Sequence, residues 1–292
     1  MGAAVSAPRL LAAYWTLAGQ AMPRNPSQVS PFDFEARMRS AVDAGYRGVG
    51  LMADDVAAVA ARIGLPAMRD VIRSEGLQEL ELEFLTDWFS SGERRALADA
   101  RAGALLEAAQ ALGARHIKVG GDRLGAHWPL ACLADGFAAL CERARAYGVS
   151  IGLELLPWTQ LDTVAQGLAL LRAAGSPPNG GLLLDVWHLD RVGQDWAAIA
   201  ALPADAICSV ELSDAGPASD SVWNDTILHR RCCGDGSIDL PGFIRAVHAT
   251  GYQGPWGVEI ISDAHRARTL DSAAHASYQS ARAALAEAGV WH

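Results

Sequence analysis

The sequence predicts a closed (β/α)8 barrel, on three observations. Eight short apolar runs alternate with longer helical patterns along the 292 residues. Six helical patterns stop at a glycine that an apolar run follows closely: Gly45, Gly76, Gly113, Gly148, Gly175 and Gly251. Glycine there takes the left-handed conformation that ends a helix at little cost. Repeated helix–glycine–strand units imply right-handed crossovers and a parallel sheet. No apolar run opens into a G-x-G-x-x-G turn, which weakens the competing doubly wound sheet. The length suits one barrel, so 1–292 reads as a single domain.

The elements follow in order. Strands are expected over 9–15, 48–52, 77–85, 116–119, 150–156, 182–188, 206–212 and 256–261. After the first comes a long loop with Pro23, Pro26 and Pro31. It leads into Ser30-Pro31-Phe32-Asp33, which reads as an N-cap, a proline at N1 and an acid at N3, with the helix running to Ala44. Residues 54–74 carry two short helices broken near Gly64-Leu65-Pro66. The helix over 93–112 places Leu105, Ala109 and Leu112 on one face. Further helices are expected over 129–147, 162–174, 195–201 and 240–250, with a C-terminal one over about 271–288. Leu182-Leu183-Leu184 reads as a strand buried on both faces, as parallel sheets require. The loops at 19–31 and 214–225 are long, and in barrels such loops lie over the catalytic face.

Composition narrows the partners. The chain is 51% hydrophobic and 20% charged, which fits a soluble globular protein. Net charge is −9, and basic residues cluster no further than the pairs Arg94-Arg95 and Arg230-Arg231. Nucleic acid, which needs a basic surface, is therefore disfavoured. The five cysteines are odd in number and form no C-x-x-C, so reduced thiols in a cytoplasm are expected. Adjacent Cys232-Cys233 leaves soft-metal or redox chemistry open. The first residues lack the charged and apolar regions of a secretory signal. Met1-Gly2-Ala3-Ala4-Val5-Ser6 fits the loose myristoylation pattern, too short to carry weight. No apolar run approaches the roughly 20 residues of a membrane span.

Four strands deliver an acid at or near their C-terminal ends: Glu154, Asp185, Glu211 and Glu259, on the fifth to eighth strands. A barrel would bring all four to one mouth. Like charges about 4 Å apart repel by roughly 4 kcal/mol at an effective dielectric near 20. Four such acids need a cation, shared protons, or both. An all-oxygen set suits Mn2+ or Mg2+ better than Zn2+, with Co2+ and Zn2+ left open. The competing reading pairs each acid with an Arg or Lys on a neighbouring strand.

These residues sit in motifs that carry a resemblance. They are Leu153-Glu154-Leu155-Leu156-Pro157, Leu184-Asp185-Val186-Trp187-His188, Val210-Glu211-Leu212-Ser213-Asp214, the stretch from His229 to Gly236, and that from Gly251 to Glu259. Over nearly its whole length the chain resembles the xylose isomerase-like TIM-barrel superfamily, the sugar phosphate isomerase/epimerase group. The resemblance implies that Glu154, Asp185 and Glu259 are metal ligands and that Glu154 and Glu259 also move protons. Position 211 departs from the common pattern, which has His there; dehydroshikimate dehydratase-like members have an amide. Glu211 is kept as the fourth oxygen ligand. The resemblance further implies substrate contacts from His188 and Arg230, with Arg231 the adjacent candidate, and a supporting role for Asp214 behind the ligands.

Other assignments come from the residues themselves. Lys118, if its register turns it inward, would hold a substrate oxygen or offset negative charge. Glu83 is open in the same way, and His116 reads as a packing residue. Of Trp15, Trp158, Trp187 and Trp256, the first and second are expected to line the pocket, since sugar rings stack on indole faces.

The expected function is a metal-dependent isomerase or epimerase. It would act on a small carbohydrate-like substrate (a polyol, ketose, sugar derivative or sugar phosphate), removing a proton next to a metal-polarised carbonyl. A dehydratase of the inosose or 3-dehydroshikimate type shares the site and differs in what leaves. A phosphodiesterase would need a His-rich metal site and a basic surface. A non-catalytic carbohydrate binder would not require four acids at one mouth. No membrane partner is expected, and a homo-oligomer is compatible with the group.

Overall fold

Eight parallel strands close on themselves, with each neighbouring pair hydrogen-bonded around the ring. The computed structural model describes residues 8–219 and 221–291; the myristoylation-like segment 1–6 lies outside them. The strands are Leu10–Ala12, Gly48–Met52, Glu79–Leu85, His116–Val119, Ser150–Glu154, Gly180–Asp185, Ile207–Leu212 and Trp256–Val258. All six helix-ending glycines have φ between 71° and 116°, the left-handed region that their position predicts.

Several strands are shorter than expected, and the difference shapes the mouth. The first stops at Ala12, and Tyr14–Leu17 forms a helical turn instead. The sixth begins at Gly180, stops at Asp185, and passes directly into a helix over Val186–Arg191. The fifth ends on Glu154 and the eighth at Val258, just before Glu259. The strands give out where an acid reaches the rim.

The helices largely follow the expected order. Ala53–Ser74 is two helices meeting at Gly64, whose φ of 79° and ψ of 151° break the hydrogen-bond ladder before Pro66. One cap differs. The helix Phe34–Ala44 is capped by Asp33, whose carboxylate accepts from Ala36 N at 3.2 Å. Ser30, the expected cap, accepts from Phe32 N and ends the preceding loop. The long loop after the seventh strand is partly ordered into a helix, Val222–Leu228, and a two-stranded ribbon that pairs Asp214–Ala215 with Arg230–Arg231.

Alternation along the strands separates two environments. Leu80, Leu82, Ile117, Val119, Ile151, Leu153, Leu182, Leu184, Val210 and Leu212 belong to the apolar layer between barrel and helices. The alternate positions bury Glu81, Glu83, His116, Lys118, Ser209 and Glu211. This barrel interior is therefore polar, and small residues make room for it. A Cβ at Gly50 would lie 2.9 Å from Glu81 Oε1, and one at Gly257 would lie 2.8 Å from Glu211 Cγ and 3.0 Å from the Val210 carbonyl.

Among the described residues, no helix is long and apolar enough to cross a membrane. All five cysteines are free. Burial pushes the thiols of Cys232 and Cys233 up, which sets that pair against thiolate chemistry.

Gly257→Ala should overpack the barrel and lower the stability by about 1–3 kcal/mol. The shift in urea midpoint at constant slope would measure it.

Candidate functional site

Ligand atoms of Glu154, Asp185, His188 and Glu259 all lie within 4.8 Å of one another, and all four residues are buried. Local folding explains the convergence. Asp185 is both the last residue of its strand and the N-cap of the next helix, with Oδ1 accepting from Trp187 N at 2.8 Å. One helical turn then brings His188 back over the strand end. Its Nε2 lies 3.4 Å from Asp185 Oδ2 and 3.2 Å from Glu154 Oε1. Glu259 enters from the eighth strand, its N–H bonded to the Leu212 carbonyl.

Glu211 was the fourth acid expected in this group, and the structure puts it in a different one. It is fully buried inside the barrel and ion-paired with Lys118. Lys118 does point inward, as one of its two registers allowed. Its ammonium also lies 2.8 Å from Glu81 Oε1, 3.6 Å from Glu83 and 3.9 Å from Glu259. Glu81 in turn meets His116 Nε2 at 3.3 Å, so His116 belongs to this polar network as well as to the packing. A Glu side chain that can reach an ammonium is drawn to it, because a buried charge is costly without a partner.

Arg230 forms the second cationic centre. Its Nη1 donates to Asp185 Oδ2 at 2.7 Å and lies 3.1 Å from Glu259 Oε2. Its Nη2 reaches Thr226 Oγ1 at 3.1 Å and His188 Nε2 at 3.3 Å, and the guanidinium stands 4.9 Å from the Trp187 ring. Arg231, next along the ribbon, is exposed and bonds to the Asp235 carbonyl. Asp214 supports the ribbon from behind. Its carboxylate accepts from the N–H groups of Ala215, Gly234, Gly236 and Ile238.

The charges do not balance. Glu81, Glu83, Glu154, Asp185, Glu211 and Glu259 share two fixed cations among the described residues, Lys118 and Arg230. Burial works against ionising Asp185, but Arg230 and His188 outweigh it and hold the carboxyl below its usual range. Glu81 likewise is held down, at about 2, because Lys118 and His116 overcome its burial. The others go the opposite way. Burial, helped by neighbouring acids, pushes Glu83 up to about 7 and Glu259 up to about 8. Glu211 rises well above the carboxylate range through burial, more than Lys118 offsets. Lys118 itself is held well above its ordinary range, because the surrounding acids outweigh its burial.

This set fits a divalent cation. Three carboxylates and an imidazole nitrogen offer donors at close quarters, and the surplus of acids supplies charge for a cation to neutralise. The competing reading holds in part: Arg230 already spans Asp185 and Glu259, and Lys118 holds Glu211. Among the described residues, the Glu154 carboxylate has His188 as its one ion-pair partner.

Above the cluster lies a cavity of about 500 Å3. Trp15 and Trp158 line it, as expected, while Trp187 and Trp256 are packed in the core. Trp158 stands edge-on to His188, with centroids 5.2 Å apart, and stacks on Trp223 at 4.1 Å. Trp223, Thr226 and Arg24 also line the cavity and had no sequence signal, since the first two sit on the short helix after the seventh strand and the third in the loop after the first, whose paths only the fold defines.

Residues 38–287 match the family described as xylose isomerase-like TIM barrel. A 3-dehydroshikimate dehydratase from Pseudomonas aeruginosa is 40% identical over 141 residues, which is 47% of this chain and 22% of that protein. The chain thus matches about a fifth of that relative's length. A ketose 3-epimerase from Arthrobacter globiformis is 29% identical over 136 residues, 44% of this chain and 42% of that protein. The solved structure of an IolI protein with a bound zinc atom covers 96% of this chain and 98% of its own at 16% identity, with a TM-score of 0.83.

Two outcomes follow from the charge arrangement. Glu83 and Glu259 bind protons more tightly folded than unfolded, so their contribution is full below about pH 4 and is lost as pH rises through about 7 to 8. In EDTA the melting temperature should therefore fall across that window, and saturating Mn2+ should flatten the fall by replacing protons. Lys118→Met should destabilise by about 3–5 kcal/mol, because it strands buried acids; chemical denaturation would measure it.

Proposed function

The chain belongs to the xylose isomerase-like TIM-barrel family, and from that premise we propose that it is a divalent-metal-dependent enzyme. It removes a proton next to the carbonyl of a small polyhydroxylated substrate. The observation that carries this reading is the pair Glu154 and Glu259, set in one buried cluster with Asp185 and His188 at the floor of a cavity. Family relatives that are enzymes support it.

Glu154, Asp185 and Glu259 would hold the cation. When bound, it would polarise the carbonyl and stabilise the charge that proton removal puts on its oxygen. Glu154 takes the proton from the adjacent carbon. Glu259, in the same buried cluster, carries the second proton and supplies it. Delivered to the opposite face of the same carbon, that proton completes an epimerisation. Delivered to a neighbouring hydroxyl, it completes the loss of water. His188, at the edge of Trp158, donates to a substrate oxygen, and Arg230 binds a second oxygen through its guanidinium. Trp15 and Trp158 exclude water and pack the apolar face of the ring.

The sequence alone put epimerisation first. The greater identity to a dehydratase, 40% against 29%, moves loss of water to first place, with epimerisation second.

The test is incubation of Mn2+-loaded protein in D2O with 3-dehydroshikimate, inososes and ketoses. Loss of water identifies the lyase outcome, and deuterium uptake without it identifies the epimerase. Glu154→Gln and Glu259→Gln should each lower turnover by about 10^2- to 10^4-fold. A panel in which nothing exchanges leaves the proposal without support.

A further inference from the structure

The cavity has an acidic floor and a rim of arginines, and one of those arginines stands out. Arg94 is committed to Asp87 and Asp122, and Arg101 to Asp54 at 3.1 Å. Arg230 is committed to the cluster below. Arg123, which is exposed, and Arg24 both lack an ion-pair or hydrogen-bond partner for their side chains among the described residues, and of the two it is Arg24 that is seated on an aromatic ring. Its guanidinium instead lies 4.1 Å from the centroid of Trp223. That contact fixes the group while leaving its N–H edge free, since a stacked guanidinium keeps its donors in the ring plane. The backbone at Arg24 has a φ of 70°, a conformation that a side chain rarely adopts.

The stacking continues inward. Trp223 lies on Trp158, and Trp158 meets His188 edge-on. Two indole rings therefore form a wall that runs from Arg24 at the rim to the cluster at the floor. A polyhydroxylated molecule lying along this wall would run from Glu154 and His188 toward Arg24.

We propose that Arg24 binds an anionic group of the substrate, a carboxylate or a phosphate, at the end remote from the reacting carbon. The inference rests on the proposed function for what happens at the floor and adds the substrate class: an acidic polyhydroxylated carbonyl compound, not a neutral sugar. A charge-assisted, bidentate contact on a stacked guanidinium supplies much of the affinity and fixes which end enters first.

Isothermal titration at constant ionic strength tests it, with 3-dehydroshikimate as the carboxylate probe, fructose 6-phosphate as the phosphate probe and fructose as the neutral one. At least one charged probe should bind the wild type more tightly than fructose does, and which one binds identifies the anion. Arg24→Gln should weaken that probe by about 10- to 100-fold. Arg24→Lys should restore part of the loss, and fructose should be unaffected by either substitution. The inference is overturned if neither charged probe outbinds fructose, if Arg24→Gln leaves the charged probe unchanged, or if it weakens all three equally. Binding is read here without turnover. An Arg24-dependent probe that never exchanges protons would sink the catalytic proposal alone, and exchange that ignores Arg24 would sink this one alone.

Discussion

Lys118 carries a permanent charge into the middle of the barrel, where water does not reach it. Removing an ion from water costs several kcal/mol even after the protein relaxes, so the ammonium is tolerable only because acids surround it. The converse also holds: Glu81 and Glu211 are tolerable at this depth because the ammonium is there. The rest of the site inherits this bargain. With Glu211 drawn down to Lys118, the acids left at the rim are Glu154, Asp185 and Glu259, and their neutralisation falls to Arg230, to protons, or to a metal ion.

Those three means are interchangeable in charge and different in chemistry. A guanidinium fixes geometry and cannot give up its proton. A proton on Glu259 can leave and return. A divalent ion pulls electrons from whatever carbonyl it meets. A site that sits on the balance among them can change its protonation as ligands arrive, which proton transfer next to a carbonyl requires. The scaffold keeps that balance local. Asp185 is fixed by the helix it caps, and Arg230 is fixed by a ribbon that Asp214 ties to the following loop.

Much of this was legible in the sequence. The eight apolar runs and the helix-ending glycines predict a parallel barrel, and three of the four strand-end acids, Glu154, Asp185 and Glu259, do meet at its mouth. What escaped had physical causes. Asp185 ends the strand early by capping a helix, so His188 joins the acids from a helical turn that a continuous strand reading could not show. Glu211 looked equivalent to its neighbours because strand position fixes where a side chain starts and not which partner it reaches. Lys118 was readable only in part, since one residue of register decides whether it faces the helices or the interior. Trp223 and Arg24 come from separate long loops, and no periodicity links residues that meet only through the fold.

The floor of the cavity is built from strand ends that are hydrogen-bonded on both sides. Arg24 and Trp223, further up the cavity, come from the segments that follow the first and seventh strands. Replacing the segment that carries Arg24 therefore leaves Glu154, Asp185, His188 and Glu259 where they are, whereas the segment after the seventh strand carries Arg230 into the cluster. A lineage with this division can acquire new substrates by insertion and exchange at the rim while the inherited chemistry passes through untouched.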